Sequence, residues 1–163
     1  MGLDMYLERD VYIGSPDMRE YKFGKDWKKK ITIKCPGVIA DQVKSVTEEV
    51  MYWRKCNAIH AWFVRVVQDG KDECERTWVA PEKIVELYDL CRELLKDKSA
   101  SHAAEVLPPV SGFFFGSTEI DEWFWSDIER TVKGLKPHVK LINTPVKEGE
   151  RSPWTDYYYQ SSW

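Results

Sequence analysis

Apolar and polar positions partly alternate at the start of the chain, with Leu3, Met5, Leu7, Val11 and Ile13 on one side. A period of two predicts a strand with one covered face. Gly14-Ser15-Pro16-Asp17 is turn chemistry and ends it. Residues 18–30 read as a polar, basic loop around Phe23 and Trp27, and Ile31–Lys34 as a short strand stopped by Pro36-Gly37. The longest predicted element is a helix over about residues 42–68. Ser45-Val46-Thr47-Glu48 has the form of a capping box, with Asp41 as an earlier start. Tyr52, Cys56, Ile59, Phe63 and Val66 recur at helical spacing, and Asp69-Gly70 closes the helix.

Cys74–Val79 reads as a strand. Pro81 suits the first turn of a second helix, whose stripe is Ile84, Leu87, Tyr88, Cys91, Leu94 and Leu95. Residues 99–111 read as a loop, and Phe113-Phe114-Phe115 as a short buried strand. Ser117 or Thr118 is expected to cap a third helix, with Ile120, Phe124, Ile128, Val132 and Leu135 inward and Pro137 as its stop. Residues 143–154 are turn-rich, and Trp154–Gln160 reads as a last strand. Its Tyr157-Tyr158-Tyr159 run, followed by Trp163, predicts a docked tail that completes the sheet or meets a second subunit of a homo-oligomer. The order predicts one α+β domain over residues 1–163. Its sheet is mostly antiparallel, with four or five strands and about three helices on one face.

At 163 residues and 43% hydrophobic, the chain has enough apolar material for a single core. A net charge of −3 gives no general pull towards nucleic acid or anionic lipid. No apolar run approaches a membrane span, and Met1–Tyr6 lacks the pattern of a signal peptide or a myristoylation site. The expectation is a cytoplasmic protein without a membrane partner. Cys35, Cys56, Cys74 and Cys91 show no zinc-ligand spacing and are expected as reduced thiols, with disulfides the lesser alternative.

In the predicted long helix, Trp53, Asn57, His60 and Val64 fall in one line beside the core stripe. An indole, an amide and an imidazole so aligned suit a pocket wall, with His60 as the acid–base residue if the protein is an enzyme. The alternative is a boundary Trp, with Asn57 and His60 bonded to a neighbouring loop. Gly112–Thr118 runs through Gly116 into a helix start, where backbone amides with Ser117 and Thr118 can hold an anion; simple capping is the plainer account. It lacks the lysine and spacing of a phosphate-binding loop. Glu119, Asp121, Glu122, Asp127 and Glu129 match the helix dipole better than they suggest a metal site. The lysines at 22, 25, 28, 29, 30 and 34, interleaved with Phe23 and Trp27, read as a solvated edge in preference to a nucleic-acid track.

Several of these stretches together resemble a family of small proteins encoded by bacteriophages and prophages. The likeness lies in Met1–Leu7, Tyr52–Val64, Gln68-Asp69-Gly70, Gly112–Thr118 with Asp121-Glu122, and Tyr158–Trp163. It covers most of the chain in order, but not residues 15–40 or 136–153. The resemblance implies an accessory role in the cytoplasm of an infected or lysogenic bacterium, and supplies no mechanism. Within that setting the expected function is capture of a small nucleotide-like or anionic ligand, such as a host immune signal. Trp53, Asn57 and His60 would face Gly116, Ser117 and Thr118, with Arg54 as the cation and Tyr158 or Gln160 closing the pocket. Neither cofactor nor metal is expected. The alternatives are a phosphoesterase or other hydrolase using His60, and an inhibitor that binds a host protein.

Overall fold

The alternation at the start of the chain forms β1 (Asp4–Tyr12), with Met5 and Leu7 fully buried on one face and Tyr6 and Glu8 half-buried on the other. In the computed structural model, the described residues are 2–14, 19, 24–29, 37–112, 115–145 and 155–163. Their sheet also contains β2 (Ser45–Arg54), β3 (Thr77–Val79) and β4 (Thr155–Ser162), in the order β2-β1-β4-β3 with every pairing antiparallel. Among the described residues, four helices follow the first strand pair: α1 (Asn57–Val66), α2 (Pro81–Asp97), α3 (Ala100–Val106) and α4 (Glu122–Ile142). The architecture is α+β. The docked tail completes the sheet as β4, while the expected strand at Ile31–Lys34 lies outside the described residues.

The largest correction concerns residues 42–68, which do not form one helix. A single 3-10 turn (Ala40–Gln42) leads into β2, and α1 begins only at Asn57. Glu48 does not complete a capping box; its carboxylate pairs with Arg9 on the neighbouring strand at 2.8 Å. Val46, Thr47 and Val50 are β-branched and pack well on a pleated surface. A bulge opposite Leu7/Glu8 lets Val50 turn inward while Met51 and Trp53 still align with Leu7 and Met5. The chain leaves the strand through Lys55, at φ 57°, and enters α1 with Cys56 at the N-cap.

Three smaller differences follow from capping and packing. Residues 99–111 are not all loop, because the Ser99 hydroxyl accepts from the His102 amide and Ala103 anchors α3 with no exposure. α4 is capped by neither Ser117 nor Thr118: the Asp121 carboxylate accepts from the amides of Trp123 and Phe124. Nor does Pro137 end α4, although its ring removes a helical hydrogen bond at a cost of about 3 kcal/mol. Leu135 and Val139 are buried on either side of it and hold the helix against the sheet. Gly134 lies under Met51, where a Cβ would come within 2.4 Å of the sulfur.

The core lies between the sheet and the helices. Phe63 of α1 stacks parallel on Tyr159 of β4, with centroids 4.0 Å apart. Cys56 and Cys91 are buried free thiols, and burial pushes Cys91 up to about 12. On the helix-facing side, half-buried His138 stands edge-on to Tyr157 at 6.0 Å. Desolvation, then the nearby Arg9 guanidinium, hold its pKa below the usual imidazole value. A base with a depressed folded pKa gives stability that is present above the unfolded pKa and lost as pH falls through the folded one. Urea titrations below neutral pH should therefore show stability declining, and His138→Asn should flatten that decline.

Candidate functional site

The turn out of β2, the loop before α4 and the first turns of α4 enclose a cleft of about 390 Å³. The left-handed turn at Lys55 sets one wall, with Arg54 and Lys55 both exposed. Asn57 sets the second. Its Nδ2 donates to the carbonyls of Phe115 (3.2 Å) and Ser117 (2.6 Å), and its Oδ1 accepts from the Val110 amide (3.3 Å). This amide spans the loop and fixes its distance from α1. Gly116, at φ 89°, faces Lys55, where a Cβ would lie 3.2 Å from the lysine Cβ. Only glycine combines that conformation with so close an approach.

The third wall is α4. Trp123 stands 73% exposed in the first turn. Further along, Arg130 donates to Asp127 (3.1 Å) and to the Tyr52 carbonyl (3.1 Å), tying helix to strand. Burial raises the Asp127 pKa, against the opposing effects of Arg130 and of a hydrogen bond from the Cys56 thiol. That thiol is pushed well above its ordinary value, first by burial and then by the Asp127 charge. Cys56 is therefore a protonated, buried donor and not a nucleophile. Asp121 is committed to the helix cap, and the Ser117 hydroxyl accepts from the Glu119 amide. Among the described residues, Arg54 and Lys55 make no ion pair. The cleft thus offers two unpaired cations, an open indole face and a few carboxylate acceptors.

Of the residues expected to form a pocket, the cleft gathers Arg54, Asn57, Gly116 and Ser117. Trp53 is not a wall. Because β2 is a strand, its side chain points into the core, fully buried, with Nε1 donating to Thr131 Oγ1 at 2.8 Å. His60 is 1% exposed and has both ring nitrogens bonded, Nδ1 to the Tyr159 hydroxyl (2.8 Å) and Nε2 to Asp72 (2.9 Å). Burial raises the Tyr159 pKa well above normal, so its hydroxyl donates to Nδ1, and Nε2–H donates to the carboxylate. Neither nitrogen is free to serve as acid or base. A broad trough of about 640 Å³ passes His60, walled by Val64, Val110 and Phe115. Phe113 and Phe114 lie outside the described residues.

Thr118 is exposed and does not line the cleft. Tyr158 and Gln160 occupy the face of β4 opposite the buried Tyr157 and Tyr159. There Arg76 covers the Tyr158 ring, and Gln160 Nε2 donates to the Cys74 carbonyl, so neither closes a pocket over α1. Trp27 of the basic segment is buried, with the Arg19 guanidinium 5.1 Å from its ring centre, and is closed to a stacking base. Sequence reasoning missed Lys55, Trp123 and Arg130 as site residues. The available signal was Trp123, which falls off the α4 core stripe beside in-stripe Phe124.

Among the described residues, no three His, Cys, Asp or Glu side chains gather as metal ligands, and no helix is long and apolar enough to cross a membrane. Comparison with protein-family models, curated proteins and solved structures finds no match to this chain.

Proposed function

We propose that this is a phage-type accessory protein that binds a small nucleotide-like anion in the bacterial cytoplasm and retains it unchanged. The observation carrying this reading is that Arg54 and Lys55, which make no ion pair among the described residues, share one cleft with the exposed Trp123 ring. A volume of about 390 Å³ falls within the ordinary range for small-molecule sites. An indole takes the face of a base, and the two cations suit phosphate oxygens. The carboxylates of Glu119 and Asp127 are acceptors for base or sugar donors, and they keep the phosphates towards the Arg54 side. A host immune signal built from nucleotides has this chemistry.

Retention is favoured over turnover because two of the groups suited to acid–base work, His60 and Asp127, are engaged. His60 has no free nitrogen, and Asp127 is held by Arg130 and Cys56. The test incubates purified protein with a nucleotide library and identifies, by mass spectrometry, what is released on denaturation. Intact ligand is expected; a converted product would establish an enzyme, and no ligand at all would refute capture. Arg54→Gln and Trp123→Ala change exposed side chains and should each weaken retention about tenfold, equivalent to about 1.4 kcal/mol. Thr118→Ala should leave retention unchanged.

A further inference from the structure

Among the described residues, no helix covers the sheet face away from the core, and this face presents aromatic rings among carboxylates. Tyr6 and Tyr52 lie side by side across β1 and β2, with ring centres 5.3 Å apart. Trp78 pairs with Tyr158 across β3 and β4, and its ring is 52% exposed. Beside these aromatics stand Glu8 and Asp10 of β1, Glu8 opposite Glu49 of β2 and Asp10 opposite Asp156 of β4.

One cationic group of the chain is already docked on this face, and it shows what the surface accepts. The Arg76 guanidinium lies 3.7 Å from the Tyr158 ring centre, while Nε donates to Glu8 and Nη2 to Asp10, each at 3.0 Å. Ring stacking below and carboxylates at the side form a cradle that suits planar guanidinium better than ammonium. The same ingredients recur on the next strand pair, where Tyr6 and Tyr52 adjoin Glu49, an exposed carboxylate without an ion pair among the described residues. Arg76 fills one cradle; among the described residues, no cation is seated over the other.

We infer that this outer sheet face docks an arginine-bearing segment of a partner protein, with guanidinium groups seated over the Tyr6–Tyr52 pair as Arg76 is seated over Tyr158. Charge complementarity selects the occupant: among the described residues, the acids on this face outnumber the cations Arg54 and Arg76, which disfavours nucleic acid and anionic lipid.

Titration of a fluorescent oligoarginine peptide, read by anisotropy, tests the assignment. Glu49→Lys should weaken binding about tenfold, whereas Glu93→Lys, the same charge change on exposed α2, should have little effect. Arg76→Ala empties the occupied cradle and should tighten binding several-fold; Arg92→Ala, which removes an equal charge from α2, should not. Oligolysine should bind more weakly than oligoarginine. Equal effects within either charge-matched pair, equal affinity for the two peptides, or no binding by the wild-type protein would overturn the inference.

Discussion

Trp53→Ala is expected to destabilise the protein by about 3–5 kcal/mol, the usual cost of removing a fully buried aromatic side chain. The indole has no exposure and meets Phe63 at a 5.9 Å centroid distance. Its Nε1 also bonds to Thr131, whose hydroxyl in turn donates to the Asp127 carbonyl at 2.7 Å. The substitution therefore opens a cavity where β2, α1 and α4 meet and loosens the strand-to-helix link behind the cleft. With a urea dependence of about 2 kcal/mol per molar, the midpoint should fall by about 2 M. Trp53→Phe keeps most of the volume and loses one hydrogen bond, so a loss of about 1 kcal/mol is expected. If Trp53→Ala instead left the midpoint in place and abolished ligand retention, Trp53 would be a binding residue and its buried placement would be wrong.

His60→Ala should cost about 3 kcal/mol, from a different cause. The imidazole links Tyr159 in the central part of the sheet to Asp72 on the loop after α1. Asp72 also accepts from Ser161 Oγ (3.4 Å) and Trp163 Nε1 (3.1 Å), so the same carboxylate secures the end of β4. Removing the ring leaves the buried Tyr159 hydroxyl without its acceptor, a loss of about 1–3 kcal/mol, and adds a cavity. Tyr159→Phe, which orphans only Nδ1, should cost about 1–2 kcal/mol. Hydrogen exchange should locate the damage, with β4 amides losing protection first in His60→Ala. Below its melting range this variant should retain ligand as the wild type does, because His60 does not line the cleft.

The elements legible in the sequence were those whose local pattern and tertiary packing agree. β1 alternates because only one of its faces is covered, α2 starts at Pro81 with a continuous stripe, and the Tyr-rich tail pairs on both edges. The segment from Ser45 to Val66 was misread because its two halves obey different periods with no glycine or proline between them. Lys55 makes the break in a left-handed conformation that a lysine does not advertise. That one error moved Trp53 from the core into a presumed pocket, and with it the helical line through His60. The Gly116–Ser117 corner lines the cleft as its local chemistry suggests; Arg54 does so because the turn at Lys55, and not a helix face, brings it there. Trp123 and Arg130 were missed, because their part in it depends on how α4 lies along β2.

The order β2-β1-β4-β3 also sets a timetable for synthesis. As the nascent chain leaves the ribosome, β1 and β2 can form a hairpin-like pair, and α1 and α2 can coil. β3 has no neighbour to join until β4 slides in beside β1, where Asp4 finally aligns with Ser162. Contacts so distant along the chain carry a large loop-closure penalty and slow folding. Between the emergence of β2 and that of β4 the chain is thus a two-stranded fragment whose β1 edge is unpaired, the kind of edge that invites association with other chains.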